Sequence, residues 1–412
     1  EHLIFKMARS SSDFPGDAVY ENAGWVSKLT FWWVMPLMRL SSKKELEDED
    51  LPDLARPEET KFISDEIRAA WQKQLEVARV SSGKTHPSLF KAIWSVSSTL
   101  SWAMLVLLFV DSAVCIAQTL VLGRLIWYFN GQENGIRDGL IWASVLTGIT
   151  LLENALHHYF YFWTWRLGLR WRTSAVSLLF QKCLRLQVGA LGQVSVGYVL
   201  NLATNDAERF QLAGVYCLFL ITAPVLALVT LYVGVLQIGV AFAAGWGVLI
   251  LLVPVQLQLS NLFGKTRQKT AERTDCRVQL TTQAFGTWDL MKLNGWEFPF
   301  LRQIRSARAK EFRAVLFGNY LRAVNESIFF ITPTLLSVVT FLIYVQLGHA
   351  LNPHTVFTVV ALLNLLQVHL TKYMAVGIQA VSEAMISIKR IQEFLVLPEV
   401  VQLSLKGGGE EE

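Results

Sequence analysis

The sequence predicts an all-α membrane protein with six membrane-spanning helices. The 412-residue chain is 52% hydrophobic and only 17% charged, and its mean hydropathy is +0.37. A soluble domain has about 25% charged residues. The apolar residues also fall in long stretches that contain few or no Asp, Glu, Lys or Arg. Stretches of this kind, about 20 residues or longer, predict helices that cross a lipid bilayer.

The first two spans are single apolar stretches. Residues 93–122 are apolar apart from Asp111, and residues 140–165 are apolar apart from Glu153 and two histidines. Each stretch is long enough for one crossing.

The remaining four spans come from two stretches that are too long to cross only once. Residues 211–264 and 327–371 contain no Asp, Glu, Lys or Arg. At about 1.5 Å per residue, each would overshoot a bilayer core of about 30 Å, so each must fold back. The glycines within 234–239 and the Pro and Asn within 348–353 mark the two turns.

The basic residues predict the orientation. All Lys and Arg except Arg124 and Arg137 lie on one face of this topology, which the positive-inside rule makes the cytoplasmic face. Both termini are therefore expected in the cytoplasm, whereas the choice between a plasma and a vacuolar-type membrane stays open. The formal net charge of +4 is explained by this topology, so nucleic acid is not an expected partner. The N-terminus has no pattern of a cleavable signal peptide.

The cytoplasmic segments are predicted to be long helical arms. In residues 264–326 apolar residues recur every three or four positions between Arg and Lys, which is typical of helix continuing out of the membrane. Arms of about 30 residues would reach roughly 45 Å. Residues 166–210 give a similar pair, and such levers suit a transporter that is driven by a cytoplasmic motor.

Ionisable residues inside spans are costly, at about 2.5 to 3.5 kcal/mol each. They are therefore either paired inside the bundle or line a water-filled substrate cavity, and both interpretations stay open. The polar candidates for such a cavity are Asp111, Gln118, Glu153, His157, Glu326, Gln367, His369 and Lys372.

No metal site is predicted. The four cysteines lie far apart, with no CxxC pair and no His at ligand spacing. They are expected to be inert packing thiols.

Five motifs stand out along residues 21–400. They are Asn22-Ala-Gly-Trp-Val-Ser-Lys-Leu-Thr-Phe-Trp-Trp-Val-Met-Pro-Leu, Glu45-Leu-Glu-Asp-Glu-Asp-Leu-Pro-Asp-Leu, Gly197-Tyr-Val-Leu-Asn-Leu-Ala-Thr-Asn-Asp, Gly286-Thr-Trp-Asp-Leu-Met-Lys-Leu-Asn-Gly-Trp-Glu and Val381-Ser-Glu-Ala-Met-Ile-Ser-Ile-Lys-Arg-Ile-Gln-Glu-Phe-Leu. In sequence and in order these motifs resemble the first transmembrane domain of ABC exporters of subfamily C, the multidrug-resistance-protein branch.

The resemblance implies three regions. Residues 1–87 would be a cytoplasmic N-terminal lasso and linker. Residues 88–397 would be the six-span transmembrane domain, and residues 398–412 would lead toward a nucleotide-binding domain.

The resemblance also implies how the arms work. In such exporters the arm tips are coupling helices that dock on two nucleotide-binding domains, whose ATP-driven closure switches the spans between inward- and outward-facing states. Plain helix capping and turn formation are the alternative role for the polar residues here. The coupling candidates are Ser195, Gly197, Asn201, Asn205 and Asp206 at the first tip, and Gly286, Lys292, Asn294, Trp296 and Glu297 at the second.

Four aromatic residues match positions similar to the family's substrate-facing aromatics: Phe160, Phe162, Phe329 and Phe330. The basic residues that anion exporters of the family tend to carry in spans 1 and 6 are not matched here. Lys372 could compensate about one turn away.

ATP hydrolysis is expected outside these residues. A P-loop needs Gly, four residues, then Gly-Lys-Ser/Thr, and both Gly-Lys-Thr triplets lack the first Gly because Ala78 and Leu259 occupy its position. The chain is therefore not expected to be an enzyme or to bind a cofactor itself. Its expected partners are the bilayer, a small-molecule substrate, a second six-span domain and two nucleotide-binding domains that bind ATP and Mg²⁺.

The sequence therefore predicts the transmembrane domain of an ATP-driven exporter of amphipathic organic solutes or anions. Two alternatives stay open: a motorless membrane subunit with a structural or regulatory role, and a channel in the same fold.

Overall fold

The computed structural model describes residues 19–52, 54–80, 87–132, 135–187 and 196–399. In these residues six helices are long and apolar enough to cross a membrane, which confirms the predicted number. We call them spans 1 to 6. They are Leu89–Gly131, Ile136–Cys183, Val196–Ile238, Val240–Gly286, Glu297–Gln346 and Pro353–Leu395.

The two predicted turns inside the long apolar stretches are confirmed. Gly239 alone separates spans 3 and 4, and it adopts a φ of 65° that side chains with a Cβ rarely tolerate. Gly348, with a φ of 85°, lies in the turn between spans 5 and 6. Pro353 then occupies the first turn of span 6, where its missing N–H costs nothing.

Two spans contain a π-helical turn, which the sequence did not predict. These turns are Leu202–Asp206 in span 3 and Val368–Tyr373 in span 6. Span 1 instead ends in a kink at Gly131, whose φ is 76°. Such π-helical turns insert an extra residue into the helix and frequently mark functional sites. The turns in spans 3 and 6 contain four of the predicted site residues: Asn205, Asp206, His369 and Lys372.

Spans 4 and 5 continue as helix far beyond their charge-free parts, as predicted. Between them lies a short helix, Trp288–Asn294, which we call the tip helix. It ends at Gly295, whose φ of 64° reverses the chain. Glu311 on span 5 is 4% exposed and joins the two arms, because it accepts hydrogen bonds from Thr274 Oγ1 at 2.8 Å and Arg277 Nε at 2.7 Å on span 4.

Short helices precede the spans. They are Val19–Asn22, Trp25–Thr30, the 3₁₀ turn Trp32–Val34, and Met35–Ser41. Two more 3₁₀ turns, Asp48–Asp50 and Arg56–Glu58, lead to Thr60–Val80, which we call the linker helix. Lys44 Nζ donates to Asp50 Oδ1 at 2.6 Å, and this hydrogen bond lowers the pKa of the Asp50 carboxyl. The rest of the predicted lasso, residues 1–18, lies outside the described residues.

The chain forms two compact units. Unit 1 comprises the described residues within 1–118, 143–222 and 376–412. In its core the buried face of the linker helix, Ile63, Ile67 and Trp71, meets side chains of spans 1, 2, 3 and 6, among them Leu167, Phe210 and Ile391. The period of these three residues is that of one helix face.

Unit 2 comprises residues 119–142 and 223–375. Its core is formed by fully buried side chains of spans 4, 5 and 6, among them Phe242, Leu249, Leu336 and Leu362. Many other large apolar side chains of the spans are exposed, for example Leu228 and Leu251. Such outward apolar surface on helices of this length suits lipid contact.

Candidate functional site

Polar side chains join spans 1 and 2 in a single antiparallel register. Near one end Trp171 Nε1 donates to Ser97 Oγ at 2.7 Å, and near the other Gln118 Nε2 donates to Thr150 Oγ1 at 2.9 Å. Together these two hydrogen bonds fix which residues of the two helices lie opposite each other. Polar bonds between helices are also a common means of association inside a membrane.

Between those two contacts lies a group that we call the acid–histidine cluster: Asp111 and Cys115 on span 1, and Glu153 and His157 on span 2. His157 Nδ1 lies 3.6 Å from Asp111 Oδ2, and Cys115 Sγ lies 4.0 Å from Glu153 Oε1. One ligand atom each from Asp111, Glu153 and His157 lies within 4.8 Å of the others. The structure thus brings three predicted cavity residues together and adds Cys115.

Each helix supplies its pair by the same spacing. Asp111 and Cys115 are four residues apart on span 1, as are Glu153 and His157 on span 2. Side chains four residues apart lie on one face of a helix, one turn above the other. The predicted absence of a metal site considered CxxC pairs and His near Cys in sequence, so it did not detect a group assembled from two helices.

The polar candidates of spans 5 and 6 bond mainly to backbone. Gln367 Nε2 donates to Phe329 O of span 5 at 2.8 Å, and His369 Nδ1 lies 2.9 Å from Leu365 O. Both side chains are buried, whereas Lys372 and Glu326 are exposed. Lys372 Nζ lies 5.7 Å from the centre of the Tyr373 ring. Gln367 therefore fits the paired interpretation, and Lys372 remains a cavity candidate.

The four predicted aromatics lie in different surroundings. Phe160 is fully buried, with its ring 5.7 Å from that of Phe219. Phe329 and Phe330 are edge-to-face at 5.6 Å, and Phe330 is 75% exposed. Of these, Phe330 has the free surface that a substrate contact needs, and the substrate roles of all four stay predictions.

Phe162 belongs to an aromatic cluster with the N-terminal helices. Its ring lies 5.6 Å from Tyr20 and 5.4 Å from Phe31. The Arg166 guanidinium lies over the Tyr20 ring at 4.7 Å and also pairs with Glu58. Burial of Tyr20 raises the pKa of its phenol, and the nearby Tyr159 phenol is the second cause of this increase. The N-terminal segment is thereby attached to span 2.

The first predicted tip is described from Val196 onward, so Ser195 lies outside the described residues. Gly197 and Asn205 are exposed, and Asn205 Nδ2 donates to Asn201 Oδ1 at 2.6 Å. Asp206 is buried instead. Its Oδ1 accepts hydrogen bonds from Ser387 Oγ and Arg390 Nη1 of span 6, each at 3.0 Å.

The second tip presents a large apolar surface. Asn294 Nδ2 caps Leu290 O at 2.9 Å, Lys292 and Glu297 pair at 3.2 Å, and Gly286 ends span 4. Around them the structure exposes large side chains, with Leu293 82% exposed. We call these six residues the tip patch: Phe285, Trp288, Leu290, Leu293, Trp296 and Phe298. Exposed apolar surface of this kind marks interaction sites.

The sequence also did not predict a cavity of about 770 Å³ between the linker helix and span 2. Lys61, Arg68 and Arg172 contribute to its wall. Arg68 Nε donates to Gln181 at 2.7 Å and Arg172 Nη1 to Gln211 at 3.4 Å. Two of these three cations are thus held by amide side chains.

The cysteines divide into two kinds. Cys183 and Cys276 are exposed, so their prediction as packing thiols is wrong. Cys115 and Cys217 are at least partly buried in unit 1. No pair of them forms a disulfide.

Six helices of membrane-spanning length and apolar composition define an integral, multi-pass membrane protein. The family model for the ABC transporter transmembrane region matches residues 101–370. The chain therefore belongs to that family, and two of the three relatives described below are named as members of sub-family C.

Three relatives illustrate the relationship. ATP-binding cassette sub-family C member 4 of Homo sapiens is 30% identical over 386 residues, which are 93% of this chain and 29% of the relative. The probable multidrug resistance-associated protein lethal(2)03659 of Drosophila melanogaster is 27% identical over 90% of this chain and 27% of its own length. ATP-binding cassette sub-family C member 3 of Mus musculus is 26% identical over 91% of this chain and 26% of its own length. The chain thus spans less than a third of each relative.

Proposed function

We propose that this chain is the first transmembrane domain of an ATP-driven exporter of amphipathic organic solutes or anions. It works by alternating access between inward- and outward-facing states. Nucleotide-binding domains outside these residues bind ATP and Mg²⁺ and hydrolyse the ATP, and a second six-span domain completes the pathway. Both termini and both arm tips lie in the cytoplasm.

The observation that supports this proposal best is the tip patch. It lies where the arms of spans 4 and 5 meet, and its side chains contribute little to the fold because they are exposed. Apolar and aromatic side chains, Trp above all, are typical anchors of protein interfaces. A nucleotide-binding domain is the partner that membership in the ABC family implies.

The arms are suited to transmit force from that interface. Glu311 lies between the arms and bonds to both, to Thr274 and Arg277 on span 4 and to Arg308 on its own helix. A partner that pulls on the tip helix would therefore move spans 4 and 5 together. Motion of this pair is the proposed link between ATP hydrolysis and alternating access.

The test is ATP-dependent uptake of a labelled organic anion into inside-out vesicles that contain the complete transporter. Leu293→Asp places a carboxylate in the centre of the tip patch, where docking would bury it without a partner. Such burial costs several kcal/mol, and each 1.4 kcal/mol is a tenfold change in an equilibrium. We expect ATP-driven uptake to fall about tenfold or more.

The matched control is Val278→Asp, which changes an exposed apolar residue on the span 4 arm, about three turns before the tip helix. It should retain uptake close to that of the unchanged protein. Equal uptake by the Leu293→Asp variant and the unchanged protein would refute docking through the tip patch. Solute flux that does not need ATP would instead favour a channel.

A further inference from the structure

We infer that the acid–histidine cluster of Asp111, Cys115, Glu153 and His157 binds one divalent transition-metal ion of the Zn²⁺ type. This inference goes beyond the proposed transport function and does not depend on it. It concerns the interior of unit 1, where all four residues lie.

Asp111, Glu153 and His157 are spaced as three ligands of one ion, since one ligand atom of each lies within 4.8 Å of the others. Cys115 lies beside them as a fourth candidate ligand. A tetrahedral Zn²⁺ ion with bonds of about 2.0 to 2.3 Å holds its ligand atoms about 3.3 to 3.6 Å apart. In the cluster, His157 Nδ1 and Asp111 Oδ2 are 3.6 Å apart, and Cys115 Sγ and Glu153 Oε1 are 4.0 Å apart. The first distance matches this spacing, and the second exceeds it by less than 1 Å.

A second observation also points to a ligand. Asp111 is only 3% exposed, and its Oδ1 accepts no hydrogen bond in the described part of the chain. A buried carboxylate oxygen without a partner is costly, and this one belongs to the cluster. A bound cation would supply the missing interaction.

The charge balance supports a divalent ion. Asp111 and Glu153 together bring two carboxylates into spans where Lys and Arg are rare. His157 can neutralise one of them when it is protonated, and the described residues record no salt bridge to Glu153. A divalent ion would neutralise both carboxylates at once. The Cys115 thiol releases its proton to water when it binds as a thiolate, so the occupied site carries one negative charge in place of two and the cost of charge within the membrane falls.

The chemistry of the donors selects the metal. Imidazole nitrogen and thiolate sulfur suit Zn²⁺ and its neighbours, whereas Mg²⁺ and Ca²⁺ prefer sites built only from oxygen. Two helices that each contribute a pair of ligands one turn apart also resemble metal sites in the cores of helix bundles. The cluster therefore fits Zn²⁺ better than an alkaline-earth ion.

The experiment uses Co²⁺ as a spectroscopic probe of the whole purified protein in lipid nanodiscs, without ATP or substrate. We expect one Co²⁺ per chain, with the visible absorption of a four-coordinate ion, displaced by an equal amount of Zn²⁺. Cys115→Ser should remove the sulfur-to-cobalt charge-transfer band and leave the stoichiometry at one. This loss would assign the thiol as a ligand.

The decisive comparison is between adjacent histidines. His157→Ala, and separately Asp111→Asn, should weaken Zn²⁺ binding about 100-fold or more, because changes in outer-shell partners alone cost about 10- to 100-fold. His158→Ala changes the exposed neighbour on the same helix and should not alter binding. Each variant is first shown to elute as the unchanged protein does in size-exclusion chromatography.

Two results would overturn the inference. One is the absence of stoichiometric Co²⁺ or Zn²⁺ binding to the unchanged protein, which would leave the cluster as a set of internal hydrogen bonds. The other is equal weakening by His157→Ala and His158→Ala, which would place the metal elsewhere. Neither result bears on ATP-driven uptake, so the experiment tests the metal site independently of the proposed function.

Discussion

Asp206 has a structural role that the sequence did not predict. It was expected at a coupling tip, yet its carboxylate is buried between spans 3 and 6 and bonds to Ser387 and Arg390. Arg390 also approaches Asp206 Oδ2 at 2.7 Å. The pair therefore fastens two helices of unit 1, and a direct contact of Asp206 with a partner stays a prediction.

Replacement of Arg390 should destabilise the protein more than replacement of a surface arginine. Arg390→Gln leaves the buried Asp206 carboxylate without its cation, which we expect to cost about 1 to 3 kcal/mol. Thermal unfolding midpoints of the purified protein in detergent would measure the difference. A second change, Asp206→Asn, should recover part of the loss because it removes the unpaired charge.

The matched control is Arg209→Gln. Arg209 pairs with Glu383 at 2.9 Å, but both side chains are largely exposed, at 53% and 35%. An exposed pair contributes about 0 to 1 kcal/mol, so the midpoint should change little. Equal shifts for the Arg390 and Arg209 variants would contradict the buried role of Asp206.

The sequence identified the polar residues of the spans as site candidates, but it did not predict which of them contact one another. Asp111, Glu153 and His157 stand out because ionisable residues are rare in apolar stretches. Their meeting depends on the register of spans 1 and 2, which is set by contacts such as Trp171 with Ser97. Residues that are distant in sequence meet only when their helices pack together, and no short sequence motif encodes how two helices pack.

At the scale of elements, the spans and their turns were predictable from short stretches of sequence. The length of an apolar stretch indicates a span, and glycine or proline within it indicates a turn. Gly239 and Pro353 lie where the turns were expected. The π-helical turns were not predictable, because they depend on how neighbouring helices accommodate an extra residue. The extent of the arms followed from periodicity, whereas their fastening by Glu311 did not.

Spans 2 and 3 approach closely at two glycines, and this contact gives a prediction for the element scale. A Cβ added to Gly214 would lie 2.5 Å from Gly168 Cα, which is backbone and cannot move aside. Gly214→Ala should therefore force the helices apart and destabilise the fold by about 1 to 3 kcal/mol. The midpoint of thermal unfolding in detergent measures this change.

Gly148→Ala is the control on span 2. A Cβ added there meets nothing within 4 Å. Alanine also favours helix over glycine by about 1 kcal/mol, so this variant should unfold at the same or a higher temperature. A Gly214→Ala protein as stable as the Gly148→Ala protein would show that the close glycine contact is not required.

At the scale of the whole molecule, the number of crossings determines which segments share a side of the membrane. In the proposed topology six crossings return the chain to its starting side of the membrane, and the tip between spans 4 and 5 lies on that same side. The short turn between spans 5 and 6 then lies on the opposite side. The proposed docking of nucleotide-binding domains requires the tip to be cytoplasmic.

Labelling with a membrane-impermeant maleimide on intact cells tests this arrangement. Cys276 is exposed on the span 4 arm, and Ala350 is exposed in the turn between spans 5 and 6. In a protein whose other cysteines are replaced by Ser, we expect Cys276 to react only after the cells are permeabilised. With Cys276 also replaced, Ala350→Cys should react on intact cells that carry the protein in the plasma membrane, because the proposed orientation places its turn outside the cell. Reaction of Cys276 on intact cells would place the tip patch outside, where no ATP-hydrolysing domain could reach it, and the proposed coupling would then be wrong.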